Sequence, residues 1–542
     1  MMTGEAMGGA PDLDQSLRGQ AGLLGDLLAP GCGRLLESQD LWRRADGLME
    51  SLLTLIQRGG DPAPVATMLE QLPSSHNRCD IVMIFLLRAT LLKDGAAPTQ
   101  ALQTVLADRE EGGGAFSLAQ ADYILRAVLF GLWINRLHVR DKAAHDRVER
   151  ALWAAILDGY QPALAGRLPV APAQRQRDLV VVLTGQFMRG MHQPSLDTMD
   201  FVSKLVLRLG RRVLLVNTAD GPVTPQVPFL GGFVSGADEG LAGANQLVID
   251  KLPVPFLHLP AGFTDPAMAA ATVDHLLAQR PDLVLSFGTM SPVADLCRGL
   301  LEVVAIPYGS YLPLATPTYL ALPRPLTPGD GPALEAGGLT PGRVIPINYT
   351  YAPPAAGAAR DRAALGVPVD AILTVIVGLR LTQEVTPDFV AALDRAVAQE
   401  PRLFFLFVGP LETYATLIAS YPALATHSRA HGYETDVIGL LMLADLYLNP
   451  PRGGGGTSAA YALHCGVPAY GLGWGDVATV IGPDFHLADY GDFAACATRL
   501  ADDAAWRQDR QAKAKARFAE ISSRQTMLRQ ILDGVKRIRA AG

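Results

Sequence analysis

The 542-residue sequence predicts an α/β protein in which an all-α domain precedes two similar lobes, each built on a doubly wound parallel sheet. Apolar residues recur at helical spacing in the first part of the chain, whereas apolar strands alternate with helices later on. A stretch rich in proline and glycine divides the alternating part. A chain of this length should form about three domains, and we place them at residues 1–172, 173–345 and 346–542.

The composition excludes several classes of protein. Hydrophobic residues make up 49% and charged residues 18%, which indicates packed domains rather than long disorder. The net charge is −7 without any basic block, so we expect no nucleic-acid partner. Five scattered cysteines without a CxxC pair indicate a reducing compartment. No signal peptide and no run of membrane-spanning length is found, so we predict a cytoplasmic protein without a membrane span.

The first domain is predicted to be helical from about residue 35 to residue 165. Leu41, Ala45, Leu48 and Leu52 illustrate the spacing of its apolar residues. No fixed repeat length is found. Such a domain could dock a partner or an acceptor, could support a homo-oligomer, or could be purely structural, and the sequence leaves these alternatives open.

The first lobe begins with the continuous apolar run Leu-Val-Val-Val-Leu at residues 179–183, which is typical of a strand buried on both faces of a parallel sheet. Alternating helices and strands are then predicted at residues 195–209, 212–216, 267–278, 283–287, 292–301 and 303–306. Residues 320–354 have little periodicity and are predicted to connect the lobes.

The second lobe repeats the alternation of strands and helices. Its elements are predicted at residues 372–377, 388–398, 403–408, 411–419, 446–448, 459–465, from 467 onward, and at 493–500. A polar helical tail over residues 503–539 closes the chain.

A glycine loop follows the strand at residues 446–448 and is the main candidate site. It consists of Gly453, Gly454, Gly455 and Gly456. Thr457 or Ser458 could cap a helix that begins at Ala459. Free N–H groups at the positive end of a helix suit a phosphate or diphosphate. A flexible linker is the alternative, but ligands of open α/β sheets bind beyond the carboxyl ends of the strands, which favours an anion site.

Polar side chains in neighbouring loops would complete such a site. Arg452 is expected to add a positive charge at the rim of the glycine loop. Arg380, in the first loop of the second lobe, could neutralise a leaving phosphate group, and Gln383 could donate a hydrogen bond. Alternatively, Arg380 pairs with Glu384 near the start of the next helix.

The first loop of the first lobe, residues 184–195, contains Gln186, Arg189 and His192. This loop lies at the carboxyl end of a strand and is expected to face the cleft from the acceptor side. His192 is a candidate general base because the pKa of histidine lies near neutral pH. Alternatively, His192 caps or packs against the following helix.

The motifs of several other mechanisms are missing. No Asp-x-Asp pair precedes an obvious metal loop, and the HExxH, GKS/GKT and Gly-x-Ser-x-Gly patterns do not occur. We therefore expect neither a metal centre nor a P-loop nor a serine-hydrolase triad.

The stretch ADLYLNPPRGGGGTSAAYALHCGVPAYGL resembles the donor half of a GT-B glycosyltransferase, an architecture of two Rossmann-like lobes. More narrowly, the chain resembles the O-GlcNAc transferase and bacterial adhesin N-glycosyltransferase family. This resemblance implies that a nucleotide-diphosphate sugar, UDP-linked, is held by Arg380, Gln383 and Thr457. It also implies that His192 is the catalytic residue and that Asp476, in the Gly-Trp-Gly-Asp segment, contacts the sugar.

The chain departs from that family in places. Arg380 stands where the family tends to have a lysine, and Arg452 with the glycines replaces an Asn-Gly-His segment. The leading hypothesis is a metal-independent, inverting glycosyltransferase with a protein acceptor. A sugar-nucleotide epimerase, which should carry several acidic residues in its cleft, and a non-catalytic scaffold that binds a nucleotide sugar are the alternatives.

Overall fold

The structure is a computed structural model. It describes residues 13–31, 35, 38–57, 60–72, 77–133, 136–189, 193–220, 227–229, 238–260, 265–288, 290–357 and 361–541. Over these ranges the chain forms a helical region followed by two lobes with parallel sheets, which confirms the predicted fold class. His192 lies outside the described residues.

The helical domain consists of seven described α-helices. They are α1 (Leu13–Leu28), α2 (Gln39–Gln57), α3 (Ala63–Gln71), α4 (Arg78–Leu91), α5 (Ala97–Glu110), α6 (Leu118–Trp133) and α7 (Lys142–Asp158). Asn77 and Asp141 accept hydrogen bonds from first-turn N–H groups of α4 and α7, which explains why these two helices begin where they do. Among the described residues no helix is both long and apolar enough to cross a membrane. The cytoplasmic location stays a prediction.

The first lobe contains an eight-stranded sheet with the order β3-β4-β2-β1-β5-β6-β7-β8. Its strands are β1 (Gln176–Thr184), β2 (Arg212–Asn217), β3 (Gln246–Ile249), β4 (Leu252–His258), β5 (Pro281–Phe287), β6 (Val303–Ile306), β7 (Tyr319–Leu322) and β8 (Val344–Pro346). Its helices are α8 (Gln193–Leu209), α9 (Pro266–Gln279), α10 (Pro292–Leu296) and α11 (Gly331–Ala336). The pairs of β1 with β2 and with β5 are parallel, whereas β3 and β4 are antiparallel.

Two strands lie where the sequence predicts only a connection. β7 and β8 extend the first sheet within residues 320–354, so the interpretation of that whole stretch as a linker is wrong. The two strands have four and three residues and lie among prolines and glycines. Runs this short produce no recognisable periodicity, and only pairing makes them strands, since β7 pairs with β6 and β8 pairs with β7.

The helical domain and the first lobe share one hydrophobic core. Val181 and Leu183 of β1 pack into the same cluster as the buried side chains of α1–α7. Val180 and Val182 point to the opposite face of the sheet, because successive residues of a strand alternate between faces. The helical domain therefore covers one face of the first sheet.

The second lobe contains a six-stranded sheet with the order β11-β10-β9-β12-β13-β14, in which neighbouring strands are parallel. Its strands are β9 (Ile372–Val377), β10 (Leu403–Val408), β11 (Ser428–Gly432), β12 (Leu446–Leu448), β13 (Ala469–Leu472) and β14 (His486–Leu487). Its helices are α12 (Leu381–Glu384), α13 (Pro387–Gln399), α14 (Tyr414–Ile418), α15 (Pro422–Thr426), α16 (Val437–Leu441), α17 (Gly456–His464), α18 (Gly475–Ile481), α19 (Phe493–Asp502) and α20 (Ala504–Glu520).

The last helix, α21 (Arg524–Ala541), returns to the first lobe. Its apolar stripe, which includes Met527, Leu528 and Ile531, is buried in the core on the second face of the first sheet. Arg524 also forms an ion pair with Asp197 of α8. This packing departs from the predicted division at residue 346, because a stripe of apolar residues in a polar helix does not indicate which lobe buries it.

Asp295, at the start of α10, is a buried carboxyl group beneath the helical domain. It accepts hydrogen bonds from the Trp153 indole of α7 at 2.8 Å and from the Thr316 backbone N–H at 2.8 Å. The pKa of Asp295 is raised to about 7, mainly because the carboxyl group is buried. The negative charge of Asp220 also raises this pKa, whereas the two hydrogen bonds and the positive charge of Arg298 lower it. The junction of helical domain and first lobe therefore contains a carboxyl group whose pKa lies well above its ordinary value.

The pKa of Asp295 predicts how stability depends on pH. Because the folded pKa lies above the ordinary value of 3.8, folding takes up a proton. The resulting stabilisation is complete below pH 4 and is lost as the pH rises to about 7. We expect the loss to be at most about 4 kcal/mol. Asp295→Asn should be less stable than the wild type at every pH, since an amide cannot accept both hydrogen bonds. Its free energy of unfolding, measured with urea from pH 4 to pH 8, should nevertheless depend less on pH. An unchanged slope in this variant would contradict the assignment.

Candidate functional site

The two predicted loops of the second lobe meet at a reversal in strand order. From β9 the chain proceeds outward to β10 and β11, and then returns to pair β12 against the other edge of β9. The loops after β9 and β12 therefore flank the crevice at the carboxyl ends of the strands, where open α/β sheets bind ligands. The first loop carries Arg380 and the second carries the four glycines.

Two of the four glycines are required by the fold. Gly455 has a φ of 95°, and a Cβ atom there would lie 2.1 Å from the Asn449 Oδ1 atom. A Cβ atom on Gly456 would lie 2.9 Å from the Tyr351 hydroxyl oxygen. Both positions exclude a larger residue for steric reasons, and Gly455 also has a backbone conformation that favours glycine.

The other two glycines have no such requirement. Among the described residues, a Cβ atom on Gly453 would meet nothing within 4 Å, and one on Gly454 would meet only the Arg380 Nη2 atom at 3.8 Å. Neither residue has a φ in the left-handed region. Because the folded chain does not explain these glycines, the open space beside them suits a ligand that approaches the backbone closely.

The start of α17 faces the same loop. Gly455 occupies the N-cap position, and no side chain of the described residues caps the helix. The predicted capping by Thr457 or Ser458 is therefore wrong, since both residues lie within the first turn. The N–H groups of a first turn lack intrahelical partners and carry the positive end of the helix dipole. This helix start can accept an anion.

Arg452 lies beneath the glycine loop and not at its rim. Its side chain is 4% exposed. It donates to Glu384 Oε2 at 2.6 Å, to the Val377 carbonyl oxygen at 2.7 Å and to Asn449 Oδ1 at 2.7 Å. The expected rim position is therefore wrong. Through these hydrogen bonds Arg452 connects the loop after β12 to the end of β9 and stabilises the conformation of the loop.

Glu384 connects the buried arginine with the arginine of the neighbouring loop. Its carboxylate is 1% exposed and also lies 3.0 Å from the Arg380 Nη2 atom. The pair between Arg380 and Glu384 is the alternative that the sequence left open, and the structure contains it. The pair does not remove Arg380 from the site, because Arg380 Nη2 lies beside Gly454.

Arg380 also contacts the helical domain. Its Cζ atom lies 4.0 Å from the centre of the Trp133 ring, at the end of α6. Its side chain is 30% exposed, and among the described residues its Nε atom has no hydrogen-bond partner. Gln383, one helical position before Glu384, is exposed to solvent. Because its side chain is partly exposed and Nη2 lies beside Gly454, Arg380 is accessible to a ligand next to the glycine loop.

Asp476 connects the glycine loop with the first lobe. Its backbone N–H donates to the Gly453 carbonyl oxygen at 2.8 Å, and its Oδ1 atom accepts from the Ser310 backbone N–H at 2.9 Å and hydroxyl at 3.2 Å. Burial raises the pKa of Asp476. The carboxylate of Asp476 thus forms hydrogen bonds between the two lobes. The contact of Asp476 with the sugar, which the resemblance implies, stays a prediction.

The acceptor-side loop of the first lobe leads into α8, whose first residue, Gln193, contacts the second lobe. Gln193 accepts a hydrogen bond from the Tyr461 hydroxyl of α17 at 3.5 Å. Gln186 is exposed, whereas Arg189 forms two hydrogen bonds to the Asp238 carboxylate, at 2.9 and 3.0 Å, that lower the pKa of Asp238 to about 2. Arg189 therefore anchors its own loop. His192 falls outside the described residues, so its role stays a prediction.

Exposed apolar side chains follow three strands of the second sheet at the edge that carries the candidate donor site. Leu379, Tyr433 and Trp474 follow β9, β11 and β13 and are exposed by 69%, 67% and 49%. Three large exposed apolar residues at one edge of a sheet are typical of a binding site for a partly apolar ligand. Among the described residues, no group of three or more His, Cys, Asp or Glu side chains is placed to hold a metal ion.

The roles of three residues of this arrangement, Ser310, Asn449 and Trp133, are not predictable from the sequence. The role of Ser310 depends on a contact with Asp476 in a distant loop. Asn449 lies within the quoted stretch, three residues before Arg452, but the pattern assigns its side chain no role. Trp133 lies in another domain and has no sequence signal that relates it to Arg380. The sequence pairs Glu384 only with Arg380, and its second partner, Arg452, is 68 residues away in the chain.

No protein-family model and no curated protein sequence matches this chain. Among solved structures, a mutant O-GlcNAc transferase of Thermobaculum terrenum is similar over 98% of this chain and 100% of its own, with 12% sequence identity and a TM-score of 0.57. A glycosyltransferase of Rickettsia africae is similar over 68% of this chain and 100% of its own, with 12% identity and a TM-score of 0.49. HepE of Anabaena, in complex with UDP and glucose, is similar over 66% of this chain and 99% of its own, with 14% identity and a TM-score of 0.45. The first likeness confirms the GT-B fold, and it includes the helical region.

Proposed function

We propose that this protein is a glycosyltransferase that moves a sugar from a nucleoside-diphosphate donor to an acceptor. The observation that carries the proposal is the open space beside Gly453 and Gly454, which the fold leaves unexplained and which lies between Arg380 and the uncapped start of α17. A diphosphate is the group that fits a positive helix end, a close backbone and an arginine together.

The donor would be held by the second lobe. The diphosphate occupies the glycine loop and accepts hydrogen bonds from Arg380 and from the first-turn N–H groups, including those of Thr457 and Ser458. Gln383 is close enough in sequence to contribute a further donor. The exposed side chains of Tyr433 and Trp474 offer apolar surface for the base and sugar. The UDP-linked donor implied by the family resemblance is part of the proposal.

The transfer would be a single displacement with inversion. An oxygen or nitrogen atom of the acceptor forms a bond to the anomeric carbon, and the bond from that carbon to the phosphate oxygen breaks. The electron pair leaves with the nucleoside diphosphate, whose charge is stabilised by Arg380 and by the helix start. The acceptor proton passes to His192. The contact of Gln193 with Tyr461 supports this assignment, since it brings the residue that follows His192 next to the donor helix.

The acceptor would be a protein side chain. The likeness to an O-GlcNAc transferase, which extends over the helical domain, supports a sugar transferase with a polypeptide acceptor. The first-lobe loop offers Gln186 as an exposed polar contact for such a chain. We propose that neutralisation of the leaving group comes from Arg380 and the helix start, without a metal ion.

The proposal is tested by titrating the wild-type protein with UDP, GDP, ADP, CDP and their sugar conjugates. We expect one nucleoside diphosphate to raise the melting temperature and to be released from its sugar conjugate when acceptor peptides are added. Gly454→Ala places a methyl group in the path of the diphosphate and should weaken this binding at least about tenfold, with little change in melting temperature without ligand.

Gly331→Ala is the matched control, because a Cβ atom there also meets no described residue within 4 Å but lies in the first lobe, on α11. It should bind like the wild type. No stabilisation by any nucleotide would overturn the proposed function. Binding without release of nucleoside diphosphate would favour the non-catalytic scaffold.

A further inference from the structure

An exposed tryptophan of the helical domain lies against the candidate donor site. Trp133 is the last residue of α6, and 46% of its surface is exposed. Its ring lies 5.8 Å from that of Phe130 and 4.0 Å from the Arg380 Cζ atom. An indole that remains half exposed is not explained by burial in the core.

This contact extends the helical domain to the other lobe. The buried side chains of α1–α7 share a core with the first lobe, whereas the described core of the second lobe includes none of them. The Trp133 ring nevertheless reaches the loop after β9. The helical domain is therefore in contact with both lobes, and its contact with the second lobe is at the arginine beside the glycine loop.

The ring of Trp133 and the carboxylate of Glu384 together restrict the conformation of the Arg380 side chain. The indole ring covers the guanidinium group of Arg380, and Glu384 binds one edge of it at 3.0 Å. A long, flexible side chain held on two sides loses little further rotamer freedom when it binds a ligand. Arg380 Nη2 then lies 3.8 Å from where a Cβ atom of Gly454 would be, on the open side of the loop.

We propose that Trp133 is a positioning residue of the donor site, through which the helical domain holds Arg380 over the glycine loop for the diphosphate of a nucleotide sugar. The inference rests on the proposed function, because it takes the ligand of that site to be a nucleoside diphosphate. Trp133 acts through Arg380 and does not contact the reacting atoms. The helical domain then contributes to the donor site together with the two loops of the second lobe, in addition to covering the first sheet.

Binding measurements with three probes test this role. UDP contains base and diphosphate, inorganic pyrophosphate contains only the diphosphate, and uridine contains only the base and ribose. Trp133→Ala should weaken the binding of UDP and of pyrophosphate by a similar factor, about 3- to 10-fold, and should leave uridine unaffected. Trp133→Phe keeps an aromatic face and should restore part of the affinity.

A double variant identifies the route of the effect. If Trp133 acts through Arg380, then Trp133→Ala combined with Arg380→Ala should bind pyrophosphate no more weakly than Arg380→Ala alone. Leu23→Ala, which removes a side chain that is 60% exposed on α1, is the control for a surface change in the same domain. It should bind all three probes like the wild type.

The outcomes separate this inference from the function on which it rests. If the wild type binds neither UDP nor pyrophosphate, both are overturned. If the wild type binds them and Trp133→Ala binds equally well, only the inference is overturned. A loss confined to uridine-containing probes, or additive losses in the double variant, would also overturn it, because Trp133 would then contact the base or act independently of Arg380.

Discussion

Replacing Glu384 by alanine is expected to destabilise the second lobe by about 3–5 kcal/mol, because it would leave a buried guanidinium group without its counter-charge. Glu384 is 1% exposed and lies 2.6 Å from Arg452, which is 4% exposed. Arg452 would retain its hydrogen bonds to Asn449 and to the Val377 carbonyl oxygen, which are uncharged. The shift in the midpoint of urea unfolding and in the melting temperature measures the effect.

Two further variants show whether burial is the cause. Glu384→Gln keeps the shape of the side chain and removes the charge, so it should also be strongly destabilised. Glu520→Ala breaks a surface pair with Arg517, whose glutamate is 59% exposed, and should cost less than about 1 kcal/mol. If Glu384→Ala were no more destabilised than Glu520→Ala, the carboxylate would not be what holds the two loops together.

Replacing Arg380 by alanine is expected to weaken the binding of the nucleoside diphosphate by about 10- to 100-fold, because hydrogen bonds to charged groups contribute about 1.5–3 kcal/mol. The fold should change little, since the Arg380 side chain is 30% exposed and Glu384 keeps its pair with Arg452. Isothermal titration with the nucleotide that binds the wild type measures the loss.

The matched control for this variant is Arg499→Ala in the same lobe. Arg499 also pairs with a carboxylate, Asp503 at 3.6 Å, and also lies over an indole ring, that of Trp506 at 5.2 Å. Since Arg499 follows no strand of the candidate site, its removal should leave nucleotide affinity unchanged. Equal losses in both variants would indicate a general effect of net charge. Such an effect would also be abolished by added salt, whereas a direct contact would be weakened less.

Much of the fold was predictable because it depends on local sequence patterns. The continuous apolar run at residues 179–183 indicated β1, and the alternation of strands and helices indicated two parallel sheets. Elements without a local pattern were missed. β7 and β8 become strands only through pairing, and α21 reveals its partner only through packing against the first lobe.

The position of the candidate site was predictable from the sequence, but the roles of its individual residues were not. Four glycines between a strand and a helix indicated the loop, and the structure places it at the reversal in strand order beside Arg380. The position of Arg452 was wrong, because an arginine next to a glycine run resembles a surface residue unless its buried partner is known. That partner, Glu384, is 68 residues away in the chain.

The sequence by itself determined the fold class, the loop that can bind an anion, and Arg380 as the arginine next to that loop. These features were accessible because turn chemistry and the periodicity of apolar residues act over a few neighbouring positions. Only the tertiary structure decided which glycines are required by the fold, which arginine is buried, and that Trp133 of the helical domain covers Arg380. These roles depend on the distance between side chains that are far apart in the chain. Packing sets that distance, and no local pattern encodes it.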